Sequence, residues 1–415
     1  MTIEPMINIP APRTIRVCLY VAISSAEQNQ PKPFSASQRV KRFAAHIADI
    51  VSWFVLRRSR ARLHHWETMS NTNKGDIAIR ETLKPQLREA LAPHNIEFTE
   101  LKWGQLNEHM AARLDRACDL FVIGGSGYIR ADVNGELPPN VIEDTKAFAK
   151  LRCLKVAYGI GWNSLLDQAD TSQNPFNETG RHQLKAFLQT VDLVSVRDRA
   201  TQTLVRETSG RQAALTGDPA LFYSDLFAAR PPRPERKKLQ IGLNMAMHGK
   251  RAAGRVEKMF DKYCEFLTAL SHEYDVTFHY VQHSQTECVI PLLLASRGIV
   301  VRWHNPPADE LSNFYRSLDI HICQMMHSSV LSLGVGVPTM NFGYDIKNRG
   351  LFDLMGLSEF YFSSWEFDQE VALAAAGRLI HEGPSLKKQI VSRKEKLRGD
   401  LDLFLGDIRG ALMCP

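Results

Sequence analysis

Five short polar segments of this 415-residue chain carry side chains that could grip an anion or move a proton. Asn73–Lys74–Gly75–Asp76 reads as a helix start, where unpaired N–H groups and the helix dipole favour negative charge. Lys74 adds a point charge there and Gly75 permits close backbone approach. Asp76 either caps the helix or acts as a base on a hydroxyl. Gly124–Gly125–Ser126–Gly127 follows the apolar run Leu120–Ile123, so the glycines either open backbone amides to a ligand or make a tight turn. Their spacing is not the GxGxxG dinucleotide fingerprint. Arg197, in Val196–Arg197–Asp198, either clamps a phosphate or carboxylate in bidentate fashion or pairs locally with Asp198. Asp218, between Gly217 and Pro219, is a turn residue or a cleft carboxylate. The densest segment runs from His327 to Pro338 and on to Tyr344–Asp345–Ile346–Lys347. A histidine at a helix N-terminus tends to stay neutral and can still hydrogen-bond an anion or pass a proton.

The elements that must position these residues alternate. Strand candidates are Ile15–Ile23, Ile96–Leu101, Leu120–Ile123, Leu154–Tyr158 and Leu193–Val196, with helical patterns between most of them. A second series holds Leu239–Asn244, Val276–Val281, Ile299–Trp303, Ile320–Cys323 and Thr339–Phe342. Such alternation predicts parallel sheets flanked by helices. Arg230–Lys238 carries three prolines and five cations and is the best domain boundary. The expected organisation is a first domain at 1–229 with a basic helical insertion at about 35–66, a linker at 230–238, a second domain at 239–382 and a helical tail at 383–415. The fold class is α/β, two Rossmann-like domains facing across a cleft, as in glycosyltransferases of the two-domain B type. Ligands would then sit at the carboxyl ends of the strands, between the domains.

Composition sets the frame. With 44% hydrophobic and 23% charged residues, the chain reads as an ordinary soluble globular protein. No apolar run approaches the ~20 residues of a membrane span. The seven cysteines are scattered singly with no CxxC pair, which argues against a disulfide framework or a structural zinc site and suits a reducing cytosol. The formal charge of +6 resides in Ser35–Trp66, where Arg39, Lys41, Arg42, Arg57, Arg58, Arg60 and Arg62 face Asp49 alone. A general nucleic-acid surface is therefore not expected. That basic segment, with Phe43, Ile47, Ile50, Trp53 and Phe54 at helical spacing, reads as contact with an anionic membrane surface, as packing on the first domain, or as a dimer contact.

Taken in order, Asn73–x–Gly75–Asp76–x–Ala78–Ile79, Ile123–Gly124–Gly125–x–Gly127, Ser195–Val196–Arg197–Asp198, Asp218–Pro219 and His327…Gly336–x–Pro338…Tyr344–Asp345–x–Lys347 resemble the polysaccharide pyruvyl transferases. The resemblance spans roughly residues 73–357 plus the first strand. It implies phosphoenolpyruvate as donor and a pyruvate ketal placed across two hydroxyls of a sugar, in a bacterial polysaccharide or its lipid-linked precursor. On this reading Asp76, His327 and Asp218 are the catalytic candidates. Asn73, Lys74, Gly75, Gly124, Gly125, Gly127, Arg197, Tyr344 and Lys347 would bind substrate. No metal and no cofactor beyond the donor are expected, and the location would be cytoplasmic, at the inner face of the membrane. One position departs from the family, which commonly has an arginine two residues before this histidine; here it is Met325. The alternative is a B-type glycosyltransferase using an activated sugar. Many retaining members of that class hold the donor ribose with a second-domain carboxylate, and there is no Asp or Glu between Asp319 and Asp345.

Overall fold

The computed structural model describes residues 12–23, 25, 73–132, 134–164, 175–228, 237–246 and 249–413, without the side chains of 249–258 and 285–286. The basic insertion at 35–66 and all of the linker but 237–238 lie outside the described residues.

The first sheet consists of β1 (Thr14–Val21), β2 (Asn95–Lys102), β3 (Leu120–Gly124), β4 (Leu154–Ile160), β5 (Leu193–Val196) and β6 (Ala214–Leu215). Their spatial order is β2-β1-β3-β4-β5-β6, and every pairing is parallel. The second sheet holds β7 (Leu239–Asn244), β8 (Val276–Val281), β9 (Val301–His304), β10 (Ile320–Cys323), β11 (Thr339–Gly343) and β12 (Tyr361–Ser363). Its order is β9-β8-β7-β10-β11-β12, again parallel throughout. Helices cover both faces, so β3 and β10 are buried at every position and read as continuous apolar runs rather than alternating ones. Two Rossmann-like domains are therefore present. Strand order reverses beside β1 in the first sheet and beside β7 in the second, and such reversals open a crevice at the carboxyl ends of the strands.

Four helices reach that crevice with their N-termini: α1 (Lys74–Ala90), α2 (Arg199–Ser209), α3 (Met326–Gly334) and α4 (Ile346–Met355). The 3₁₀ segment Pro219–Leu226 crosses between the sheets, burying Ala220, Leu221, Phe222 and Tyr223 in an apolar cluster that includes residues of both. The last helix, α5 (Gly383–Met413), returns to the first domain. Its Phe404 ring sits 5.7 Å from that of Tyr158 in β4, and Lys394 Nζ donates to the Gly334 carbonyl of α3 at 2.8 Å. No helix among the described residues is long and apolar enough to cross a membrane.

Candidate active site

Three of the four convergent helices are closed by their own side chains. Asn73 Oδ1 accepts from the Gly75 amide of α1 at 3.1 Å. Asp198 Oδ1 takes the Thr201 amide of α2 at 2.7 Å and the Thr201 hydroxyl at 2.8 Å. Asp345 Oδ1 takes the Lys347 amide of α4 at 3.2 Å and, across the domains, the Ser164 amide at 3.2 Å. The fourth helix differs. Met325 stands at the N-cap of α3 and has no cap hydrogen bond to offer, so its first amides are left to other partners.

The carboxylates between these ends are desolvated. Asp76 Oδ2 accepts from Asn73 Nδ2 at 2.7 Å, whereas Oδ1 is buried with no donor in bonding geometry. Burial pushes this carboxyl up to about 6; Ser126, Lys347 and Arg197 oppose the shift and Asp218 adds to it. Asp218 Oδ1 accepts from the Ala220 amide at 3.0 Å, and its Oδ2 is likewise buried without a donor. Burial raises Asp218 too, against the pull of Arg197 and Lys347. Asp345 is raised by the same cause, with Lys347 and Arg197 again the nearby cations. With Asp198, which pairs with Arg197, four carboxylates thus share two cations. They come from α1, the turn after β6, the end of β5 and the start of α4, from Asp76 to Lys347 along the chain. His327, second residue of α3, closes the group from the other domain: a Cβ built on Gly75 would lie 2.0 Å from its Nδ1. Gly75 is a glycine because that ring occupies the space.

The structure brings together Asp76, Asp218, His327, Arg197, Lys347, Asn73 and Gly75, and it uses several other residues differently from the expectation. Lys74 does not face the carboxylates. Its ammonium is buried against the second domain, donating to the Gln282 carbonyl and to Asn305 Oδ1, each at 2.7 Å. Its amide donates to the His283 carbonyl at 3.3 Å, so with Gly75 capped by Asn73 the start of α1 has little left for an anion. Gly124, Gly125 and Gly127 meet protein: a Cβ at each would collide with Leu83, Ile79 and Asn163 respectively. Gly124 and Gly125 let α1 press on the end of β3, and Gly127 makes room for Asn163, as a tight turn would. Arg197 spends Nη2 on the Trp162 carbonyl at 3.1 Å and Asn163 Oδ1 at 2.7 Å, and Nε on Asp198 at 3.4 Å. A two-pronged clamp is reduced to Nη1. Tyr344 is buried with Met325 and Ala246, and Lys347 Nζ lies 5.5 Å from its ring centre.

A profile of the polysaccharide pyruvyl transferases matches residues 46–346, well over half the sequence. The chain belongs to that family. No protein of curated function matches it. Among solved structures, sucrose-phosphate synthase from Thermosynechococcus elongatus is similar at 12% identity and a TM-score of 0.51, covering 96% of this chain and 99% of that one. UDP-GlcNAc 2-epimerase from Methanocaldococcus jannaschii is similar at 10% identity and a TM-score of 0.47, covering 88% of this chain and 92% of that one. At such identity the first likeness speaks for the two-domain fold alone.

Within the family frame, Met325 stands out. It is buried in a small apolar cluster with Ala246 and Tyr344, so the place of the usual arginine is filled rather than vacant. Two polar residues escaped sequence reading as site members. Asp345 was present in the motif but looked like a loop residue, whereas it caps α4 and joins the carboxylate group. Glu287 gave no signal at all. It is fully buried beside β7, accepting from Asn244 Nδ2 at 2.9 Å and the His283 amide at 2.8 Å, and burial pushes it up to about 7. Among the described residues no group of three or more His, Cys, Asp or Glu could hold a metal ion.

Proposed function

We propose that this transferase places pyruvate from phosphoenolpyruvate as a ketal on a sugar of a bacterial polysaccharide or its lipid-linked precursor. The observation that carries the reading is the pair of buried carboxylates, Asp76 and Asp218, each with one oxygen lacking a donor, beside Arg197 and Lys347. The donor has a phosphate and a carboxylate, which suit two cations and the uncapped end of α3. His327, at that end, delivers a proton to the methylene carbon as its imidazolium, becoming neutral, and leaves C2 electrophilic. The first sugar hydroxyl bonds C2 and gives its proton to Asp76, whose carboxyl near 6 is ionised yet basic at neutral pH. The second hydroxyl bonds C2 as the bond from C2 to the phosphate oxygen breaks, and its proton passes to Asp218 or to the departing phosphate. The fixed cations and amides stabilise charge without reorganising, the term usually largest in such catalysis.

The test is incubation of purified protein with phosphoenolpyruvate and candidate polysaccharide or lipid-linked acceptors, following inorganic phosphate and the new ketal methyl signal. Acceptor-dependent release of a nucleoside diphosphate from a nucleotide sugar, with none from phosphoenolpyruvate, would replace this reading by the glycosyltransferase.

A further inference from the structure

At the carboxyl end of β9, the strand farthest from the centre of the second sheet on that side, lies an open cavity of about 370 Å³. Trp303, His304, Asn305, Glu310, Asn313 and Phe314 are among its lining residues. No lysine or arginine lines it. The volume is at the low end of the ~300–1,000 Å³ typical of small-molecule sites, room for a sugar ring or two.

Trp303 is the decisive residue. It is 51% exposed and is the sole aromatic among the large exposed apolar side chains of the described residues. It is also fixed, because its indole Nε1 donates to Gln282 Oε1 at 3.1 Å. An indole whose polar atom is already bonded, and about half of whose surface stays exposed, is a preorganised apolar platform. The C–H face of a pyranose stacks on such a surface. The rim supplies what hydroxyls need, with amide groups from Asn305 and Asn313 and the carboxylate of Glu310. Without a lysine or arginine in the lining and with the Glu310 carboxylate on the rim, the cavity suits an uncharged ligand better than a phosphate or the donor.

The cavity is tied to the reaction centre. Gln282, which holds Trp303 through its side chain, accepts the Lys74 ammonium through its carbonyl. Asn305, on the cavity wall, accepts the same ammonium at 2.7 Å. Lys74 lies two positions before Asp76 on α1. We infer that this cavity is a subsite for a neutral sugar residue of the acceptor, bound beside the sugar that receives the ketal. The inference rests on the function proposed above for its naming of the acceptor, and the cavity's chemistry argues the sugar independently.

The experiment has two arms. In the first, wild type, Trp303→Ala and Asn313→Ala are tested on an array of neutral oligosaccharides, with uridine as competitor and no phosphoenolpyruvate present. Binding to at least one oligosaccharide by wild type, weakened tenfold or more in both variants and untouched by uridine, is expected. No oligosaccharide bound, binding unchanged in Trp303→Ala, or displacement by uridine would overturn the inference. In the second arm, with an acceptor on which ketal formation is measured, Trp303→Ala should raise the acceptor KM at least tenfold while kcat and the phosphoenolpyruvate KM stay within about twofold. An unchanged acceptor KM would sink the subsite and leave pyruvyl transfer standing. Sugar binding that depends on Trp303, with no reaction from phosphoenolpyruvate, would do the reverse. Circular dichroism of each variant confirms that it is folded.

Discussion

Two helix starts face each other across the cleft and solve the same problem in opposite ways. α1 opens on Asn73–Lys74–Gly75–Asp76, charged and polar, yet its amides are consumed by Asn73 and by the His283 carbonyl. α3 opens on Met325–Met326–His327, nearly apolar, yet Met325 has no side-chain acceptor for its amides. The end that looks like an anion site by composition is closed by side-chain and backbone acceptors, and the end that looks inert carries no side-chain cap. What matters at a helix N-terminus is whether its N–H groups are already bonded, not how many charges lie nearby. On the mechanism proposed above, the first domain contributes the proton-handling groups, Asp76 and Asp218, and the second contributes His327 and a helix start without a side-chain cap.

The sharpest way to break this division is at Asp76. Asp76→Asn should lower kcat by ~10²–10⁴, the usual loss for a general base. It should also stabilise the protein. Folding raises this carboxyl from its ordinary value to about 6, so ionising it in the fold is unfavourable. The penalty is absent below the unfolded value near 4 and fully present above about 6. The variant should therefore gain up to ~3 kcal/mol at pH 7.5 and nothing at pH 3.5, read from denaturant unfolding at both values. A variant that is active, or less stable at pH 7.5, would remove Asp76 from the role of buried base.

Next in size is the contact between the two starts. Gly75→Ala puts a methyl where the His327 ring stands, and overpacking of this kind costs ~1–3 kcal/mol. The ring or the domain spacing must shift, so activity should fall at least tenfold, more than any change in donor binding measured by calorimetry. If activity survives while stability drops, the ring is a packing element and His327 is not the acid.

A smaller effect is expected at Met325. An arginine there would place a cation at the positive end of α3 and inside an apolar cluster with Ala246 and Tyr344. Met325→Arg should lose stability in buffer and regain much of it with phosphoenolpyruvate or phosphate, whereas Met325→Leu should do neither. Loss that no anion relieves would show that the start of α3 is not where the donor's phosphate sits.

Much of the fold was readable because parallel strands covered on both faces announce themselves as apolar runs, and all ten strand candidates appear in the sheets. Missing from the reading were β6 and β12, edge strands of two and three residues too short to show a pattern. The start of α4 was also missed, since Tyr344–Lys347 looks like a polar loop until Asp345 is seen to cap it. Asp76, Arg197, Asp218, His327 and Lys347 could be named as candidates because each lies at the carboxyl end of a strand or the start of a helix. Their convergence could not be named, because it depends on strand order and on how the domains meet. Lys74 makes the point most plainly. Nothing in Asn73–Asp76 tells which way a lysine at the first helical position turns, and the presence of the Gln282 carbonyl and Asn305 on the opposite domain decides it.

That lysine supplies the mildest test of the comparison. Lys74→Met keeps the length of an apolar stem and removes a buried ammonium, and exchanging a buried ion for an apolar side chain is often close to neutral. Burial lowers Lys74 from its ordinary value to about 8, with Glu287 partly opposing the shift. Between pH 8 and about 10.5 the unfolded chain holds a proton on this lysine that the folded chain has released. The wild type must therefore gain stability relative to the variant as pH rises through that window, by up to ~3 kcal/mol. At pH 7 the two should differ by less than about 1 kcal/mol, since lost hydrogen bonds and relieved desolvation offset each other. Urea unfolding of both proteins at pH 7 and pH 10 gives the answer. A difference that stays the same at the two values would mean that Lys74 remains solvated in the folded protein. The ammonium would then be free to meet an anion at the start of α1, whose amides stay closed by Asn73 and His283.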